Sequence, residues 1–422
     1  MEVRHHGSRS SPPAMEVRCR GSRSSPPAIE VILSTTHWLR KWAILQQPIS
    51  QDVLVLGAAA NCKVQLQKLP AIFVFGDGML DVGNNNYLNS TEEFGEPLRA
   101  NNSYYGIDFP KSEATGRFSN GYNIADFIAK TLGLGISPAA YLSLPVPISM
   151  VDFTGVNYAS EGARIWDNFY ADDSTQVTIP LLEQVDKFVA TKAQMEPKLG
   201  GSELKKLLSN SIFLLSFGTT DLFHVWYLQN LMAKNDQTNV QYLLSSYGVG
   251  IKALFDAGTR KFAVINVPPI GCTPVGQIPW GRRGYVSGRC DESKNKLAME
   301  FNNGLGRLLA TFSSELHGFR YSVADLYGFA NATFANPSAA GFVNTNTQCC
   351  PNPCMPGFGG PFENRSQYWF WDYSYPTEKA AKLAAAAFYD GPARFTVPIS
   401  FKKLVQTPEK MTPVLLSSCH VR

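Results

Sequence analysis

The chain has no stretch approaching the ~18 consecutive apolar residues of a membrane-spanning helix, so a helical transmembrane protein is excluded. It has no Cys-x-x-Cys pair with histidines at matching spacing. A zinc site is therefore not expected, and no motif calls for another metal or a cofactor. Net charge is also small: +4 over 422 residues, with much of the excess in the arginine-rich first 41, which leaves nucleic-acid binding without support. What is present is apolar. A 44% hydrophobic content with 12% aromatics is ample for a sizeable core and marks a globular chain. The length would hold two average domains, although α/β chains of this size often fold as one with long loops.

The N-terminus does not fit that picture. MEVRHHGSRSSPPA at 1–14 returns almost unchanged as MEVRCRGSRSSPPA at 15–28, a basic, Ser/Pro-rich duplication with no apolar face, expected to be disordered or an artefact of the gene model. Residues 29–68 read as a linker. Within it VLVLGAAA, 53–60, resembles the end of a signal-peptide core, but it is short, follows Asp52 and lies far from residue 1, so it serves only if translation begins downstream. A domain over 69–405 and a tail over 406–422 complete the division. Of the eight cysteines, Cys349, Cys350 and Cys354 share a Pro/Gly-rich loop, which points to disulfides and an oxidising compartment. Sequons at Asn89, Asn101, Asn331 and Asn364 point the same way, to a secreted, extracellular protein.

The informative stretch is 71–88, AIFVFGDGMLDVGNNNYL. An apolar run over 71–75 stops at Gly76-Asp77-Gly78, and Asn84, Asn85 and Asn86 follow Gly83: a buried strand closing on a tight polar turn, where open α/β sheets keep their sites. The stretch resembles the first block of the plant GDSL esterase/lipase family, a branch of the SGNH hydrolases, in its form FVFGDS-x-x-D-x-GNNN. Other blocks match in order: YGIDFP and TGRFSNG over 105–121, Asn157 to Gly162 against NFASGG, Gly218 to Asp221 against Gly-x-Asn-Asp, PPIGC-x-P over 268–274, and 370–378 against FWD-x-x-HPTE.

The resemblance implies an α/β fold, a flavodoxin-like three-layer α/β/α sandwich around a central parallel sheet, and a serine esterase acting on lipid or cell-wall acyl or acetyl esters. It also exposes departures. Gly78 stands where the family has its nucleophilic serine. Thr220 replaces the oxyanion asparagine, and Tyr375 replaces the histidine base, while Gly162 and the orienting acid Asp372 are kept. A glycine has no atom with which to attack an ester. Tyrosine, with a pKa near ~10, is chiefly a proton donor at neutral pH. Thr220 offers at most a weak hydroxyl donor, and helix capping or a turn accounts for it as well.

Between the blocks the chain alternates. A loop feeds a helix over 124–132; apolar strands are expected in the run 211–222, which closes on Gly218, and at 259–269, helices at 240–257 and 290–309, and a short final strand at 321–327. Pro376-Thr377-Glu378 opens an alanine-rich helix to Tyr389 with proline in its first turn. Right-handed crossovers make such an order a parallel sheet covered on both faces.

Losing a nucleophile or base alone costs about 10⁶ in turnover, and an oxyanion donor ~10²–10³, so three changed positions weigh heavily against hydrolysis. A relocated site has few candidates. His5, His6, His37 and His420 lie in the tails, leaving His224 and His317; Ser160 and Ser374 lie near the blocks, but no Gly-x-Ser-x-Gly elbow occurs. Three readings stand: an active esterase with a relocated site, a non-catalytic monomer that binds a small or polymeric ester ligand, and a decaying gene copy.

Overall fold

The structure is a computed structural model, and it describes residues 71–90, 95–166, 177–232, 238–282 and 284–407. The duplicated segment 1–28, the linker 29–68 with its signal-like run, and residues 408–422 of the tail lie outside the described residues.

In chain order the elements are β1 (Ile72–Gly76), α1 (Ile124–Thr131), β2 (Gly155–Asn157), α2 (Leu181–Leu199), α3 (Gly201–Asn210), β3 (Ile212–Ser216), α4 (Thr219–Met232), α5 (Thr238–Asp256), β4 (Lys261–Ile265), α6 (Glu292–Glu315), β5 (Arg320–Ala324), α7 (Leu326–Ala335), β6 (Asn344–Gln348), β7 (Tyr368–Phe370), α8 (Glu378–Asp390), β8 (Thr396–Val397) and α9 (Phe401–Gln406). Strand order is β2-β1-β3-β4-β5-β8, with the first five parallel and β8 antiparallel to β5. This is the doubly wound order that the alternation predicts. β5 is not the final strand, as the sequence reading had it. A two-residue β8 extends the sheet, and β6 and β7 pair apart from it, both too short or too polar to show a strand pattern.

Every residue of β1, β3 and β4 is buried, because helices cover both faces and a continuous apolar run is what such a strand requires. The period of two divides the side chains. Phe73, Phe75, Phe213 and Leu215 face α2, α5 and α6 through Phe188, Tyr247, Ile251 and Phe301. Ile72, Val74, Ile212 and Leu214 face α1, α8 and α9 through Ile128, Ala384, Phe388 and Leu404. Phe73 and Phe213, paired in register, stack with ring centroids 4.8 Å apart.

The TGRFSNG block has a structural cause. Arg117 donates from Nε and Nη2 to both oxygens of Asp126, at 2.7 and 2.8 Å, and the pair is buried. Asp126 and Asn123 also form the capping box of α1. At the other end, the cap of α8 is Thr377, whose side chain accepts from the Ala380 N–H. Pro376 therefore precedes the cap instead of sitting in the first turn.

Among the described residues two disulfides are formed, Cys272–Cys290 and Cys350–Cys354, while Cys349 keeps a buried thiol whose burial pushes its pKa up to about 11. The sequon residues Asn89, Asn101, Asn331 and Asn364 are all exposed. Among the described residues no helix is long and apolar enough to cross a membrane.

Candidate active site

The site region forms where β1 and β3 end. The Asp77 N–H donates to the Ser216 carbonyl of β3, and the chain then turns, with Leu80 and Asp81 N–H groups closing on the Asp77 carbonyl. Asp81 fixes the turn: Oδ1 accepts from the N–H groups of Gly83 and Asn84, and Oδ2 from that of Glu161. Gly83 has φ +123°, and a Cβ there would lie 2.4 Å from the Thr115 carbonyl, so only glycine fits. The asparagine run stitches this turn to the next block. Asn84 donates to the carbonyls of Asn157 and Ala159, and Asn85 to those of Leu98 and Glu161.

Gly78 and Tyr375 meet, although 297 positions of chain separate them. A Cβ built on Gly78 would lie 1.9 Å from Oε2 of Glu161 and 2.5 Å from the Tyr375 hydroxyl. The Tyr375 hydroxyl donates to that same Glu161 oxygen in a short hydrogen bond, and its ring packs 5.5 Å from that of Phe118. Glu161 is the residue that the sequence reading passed over. Its signal was a carboxylate where the resembling block has glycine, and only the fold shows where that carboxylate points.

Asp372 does not orient a base. Its Oδ1 accepts from the N–H groups of Ser374 and Tyr375, at 2.9 and 2.8 Å, and its Oδ2 from the Tyr105 hydroxyl at 3.0 Å. Gly162 is buried at φ +78° in the turn after Glu161, which the Ala163 N–H to Ser160 carbonyl bond closes. Thr220 lies within the first turn of α4, half-buried, one position past the helix start and not at its cap. Its neighbour Asp221 accepts the Ile165 N–H at 3.1 Å to each oxygen, which ties the Gly162 and Thr220 segments together.

The relocated-site candidates fare differently. His224 is half-buried one helical turn beyond Thr220 on α4. His317 is exposed between α6 and β5, at the amino ends of the strands and away from the site. The Ser160 hydroxyl donates to Asn85 Oδ1 at 2.6 Å and accepts the Ile179 N–H at 3.0 Å, inside a fully buried position. It is a structural link. Ser374 is half-buried beside Asp372.

Burial dominates the electrostatics. Loss of water pushes Glu161 up to about 8 and Asp77 up to about 7, with repulsion from neighbouring carboxylates adding to both against opposing hydrogen bonds. The same desolvation raises Asp81, Asp221 and Asp372 to about 6. Tyr375 is held well above its ordinary range by burial first and then by the Glu161 charge, so its proton stays on. Burial thus favours the protonated form of both side chains, and the pair forms a closed contact. Among the described residues no group of His, Cys, Asp or Glu is disposed to hold a metal ion.

Beside this contact lies a small apolar crevice of about 10 Å³, lined in part by Met79, Pro268, Pro269, Phe334, Trp369 and Pro376. Three blocks border it: the residue after Gly78, the PPIGC loop and the residue after Tyr375.

Residues 72–388 match the family model for the GDSL-like lipase/acylhydrolases. Among curated proteins of Arabidopsis thaliana, the GDSL esterase/lipase At5g55050 is 33% identical over 360 residues, 81% of this chain and 92% of its own. GDSL esterase/lipase APG is 32% identical over 333 residues, 76% of this chain and 90% of its own. GDSL esterase/lipase At1g29660 is 32% identical over 382 residues, 87% and 99%.

Proposed function

The chain belongs to the GDSL-like lipase/acylhydrolase family, and from that premise we propose that it has lost ester hydrolysis and serves as a secreted, non-catalytic binder of an ester-bearing ligand. One observation carries the proposal: the space that a nucleophile's Cβ would need at position 78 is taken by the carboxylate of Glu161 and the hydroxyl of Tyr375. The change is thus more than three missing groups. A fourth residue packs into the gap and pairs with the residue at the base position.

The chemistry left in place is that of binding. Gly162 remains a backbone donor candidate for a ligand oxygen, and Thr220 a hydroxyl donor on the segment that Asp221 ties to it. The crevice against Met79, Pro268 and Trp369 supplies an apolar wall beside the site. Asp372, held by three donors, keeps the 372–376 loop in shape and acts on the ligand only through it.

The test uses purified protein with p-nitrophenyl acetate and butyrate, together with a fluorophosphonate probe. Background hydrolysis and no labelling are expected. Turnover with probe labelling would overturn the proposal and make Ser374 and His224 the first residues to replace.

A further inference from the structure

Glu161 is poorly equipped to carry a charge. The carboxylate of Asp81 accepts from the backbone N–H groups of Gly83, Asn84 and Glu161, and that of Asp372 from two backbone N–H groups and the Tyr105 hydroxyl. Among the described residues the Glu161 carboxyl has a single donor, the Tyr375 hydroxyl. The groups that face it are of its own sign or neutral. Asp77 and Asp81 come from the turn after β1, Asp372 and Tyr375 from the loop after β7, and Tyr105 from the block before α1. Arg117, the cation that Asp81 feels, is engaged by both oxygens of Asp126.

The contact nevertheless lies close to water. Glu161 is 9% exposed and Tyr375 8%, so each keeps an edge at the surface. A protonated carboxyl is content there, whereas a charged one gains more from hydration than from one hydrogen bond. What the pair holds is the 372–376 loop. That loop is also tied to its surroundings by the Val275 N–H, which donates to the Tyr373 carbonyl at 3.0 Å, by the Tyr105 hydroxyl on Asp372, and by the Tyr375 ring against Phe118. Of these ties only the one through Glu161 depends on a proton that comes off near neutral pH, since burial moves that group up to about 8.

We propose that the Glu161–Tyr375 contact is a proton-held latch: protonated, Glu161 keeps Tyr375 and the 372–376 loop closed over Gly78; ionised, it turns to solvent and releases them, opening the space beside Gly78 to a ligand. The closed state binds the proton and the open state gives it to water, so acid shuts the site and rising pH opens it. The latch regulates the binding function argued above and rests on it, but it is measured with no ligand present.

The experiment is hydrogen-exchange mass spectrometry of the full chain at pH 6 and pH 9, with each rate expressed relative to the unstructured peptide at the same pH. Protection of the segments 273–277 and 370–377 should fall about tenfold or more beyond any fall in β3, and Glu161→Gln, uncharged at both pH values, should abolish that extra fall. Tyr375→Phe keeps the ring and removes the donor, so both segments should be less protected at pH 6 than in the native chain. A fall no larger than that of β3 is global loosening and overturns the proposal. So does an extra fall undiminished in Glu161→Gln, which would assign the titration to Asp77, or native-like protection of Tyr375→Phe at pH 6. Ester turnover would sink the non-catalytic function and leave the latch standing; protection that ignores pH would do the reverse.

Discussion

Tyr375 donates its hydroxyl to Glu161, and between them these side chains occupy the space beside Gly78. The contact joins the loop after β2 to the loop after β7 across the end of β1. Gly78, Glu161 and Tyr375 must therefore be treated as one unit in any substitution.

Gly78→Ser alone should not restore hydrolysis and should destabilise the protein by about 1–3 kcal/mol or more, the usual cost of overpacking a filled space. Adding Glu161→Gly should recover most of that loss by vacating the space. Chemical denaturation of the single and double variants checks this, and equal stability of the two would show that Glu161 yields without cost.

Activity needs the whole set. Gly78→Ser, Glu161→Gly, Thr220→Asn and Tyr375→His together should produce p-nitrophenyl butyrate turnover at least ~10²-fold above the native chain, whereas the set lacking Glu161→Gly should stay near background. The surrounding turn, held by Asp81, Asn84 and Asn85, is intact enough to receive the groups. If the four-residue variant folds but cleaves nothing, divergence extends beyond these positions.

The buried carboxyls make stability depend on pH. Glu161 rises from an ordinary 4.5 to about 8 and Asp77 from 3.8 to about 7, so between those limits the folded state binds more protons than the unfolded one. Stability is then greatest near the unfolded pKa values and falls as pH rises through the folded ones. The midpoint of thermal unfolding should be higher at pH 5 than at pH 8, by roughly 5 °C or more. Glu161→Gln should reduce that difference. A native profile that rises toward pH 8 would contradict the assignment.

Arg117→Ala should cost about 3–5 kcal/mol, because it leaves Asp126 buried without its bidentate partner at the start of α1. Urea denaturation reads the loss. A change below 1 kcal/mol would mean that Asp126 is satisfied by Asn123 and Ser137 alone.

Peptide mapping of non-reduced protein should find Cys272 joined to Cys290 and Cys350 to Cys354, with Cys349 alkylated only after unfolding. Separating Cys272 from Cys290 should cost about 3 kcal/mol, as expected for closing a loop of that length.

The sheet was legible in the sequence because its strands are wholly buried, and apolar runs such as IFVFG and KFAVI at strand length leave few alternatives. That Gly78, Asp372 and Tyr375 come together was legible too, since their blocks carry recognisable surroundings. β8 and β6 were not, the first having two residues and the second none but Asn, Thr and Gln. Glu161 escaped for a different reason. A carboxylate in a polar turn reads as a surface residue, and its burial against Tyr375 depends on a contact 214 positions away.

The most direct measurement of the central claim is ester turnover by the native protein, set beside Asp372→Ala and followed by fluorophosphonate labelling. The account predicts background rates for both and an unlabelled band. Turnover in the native chain that Asp372→Ala removes would contradict it.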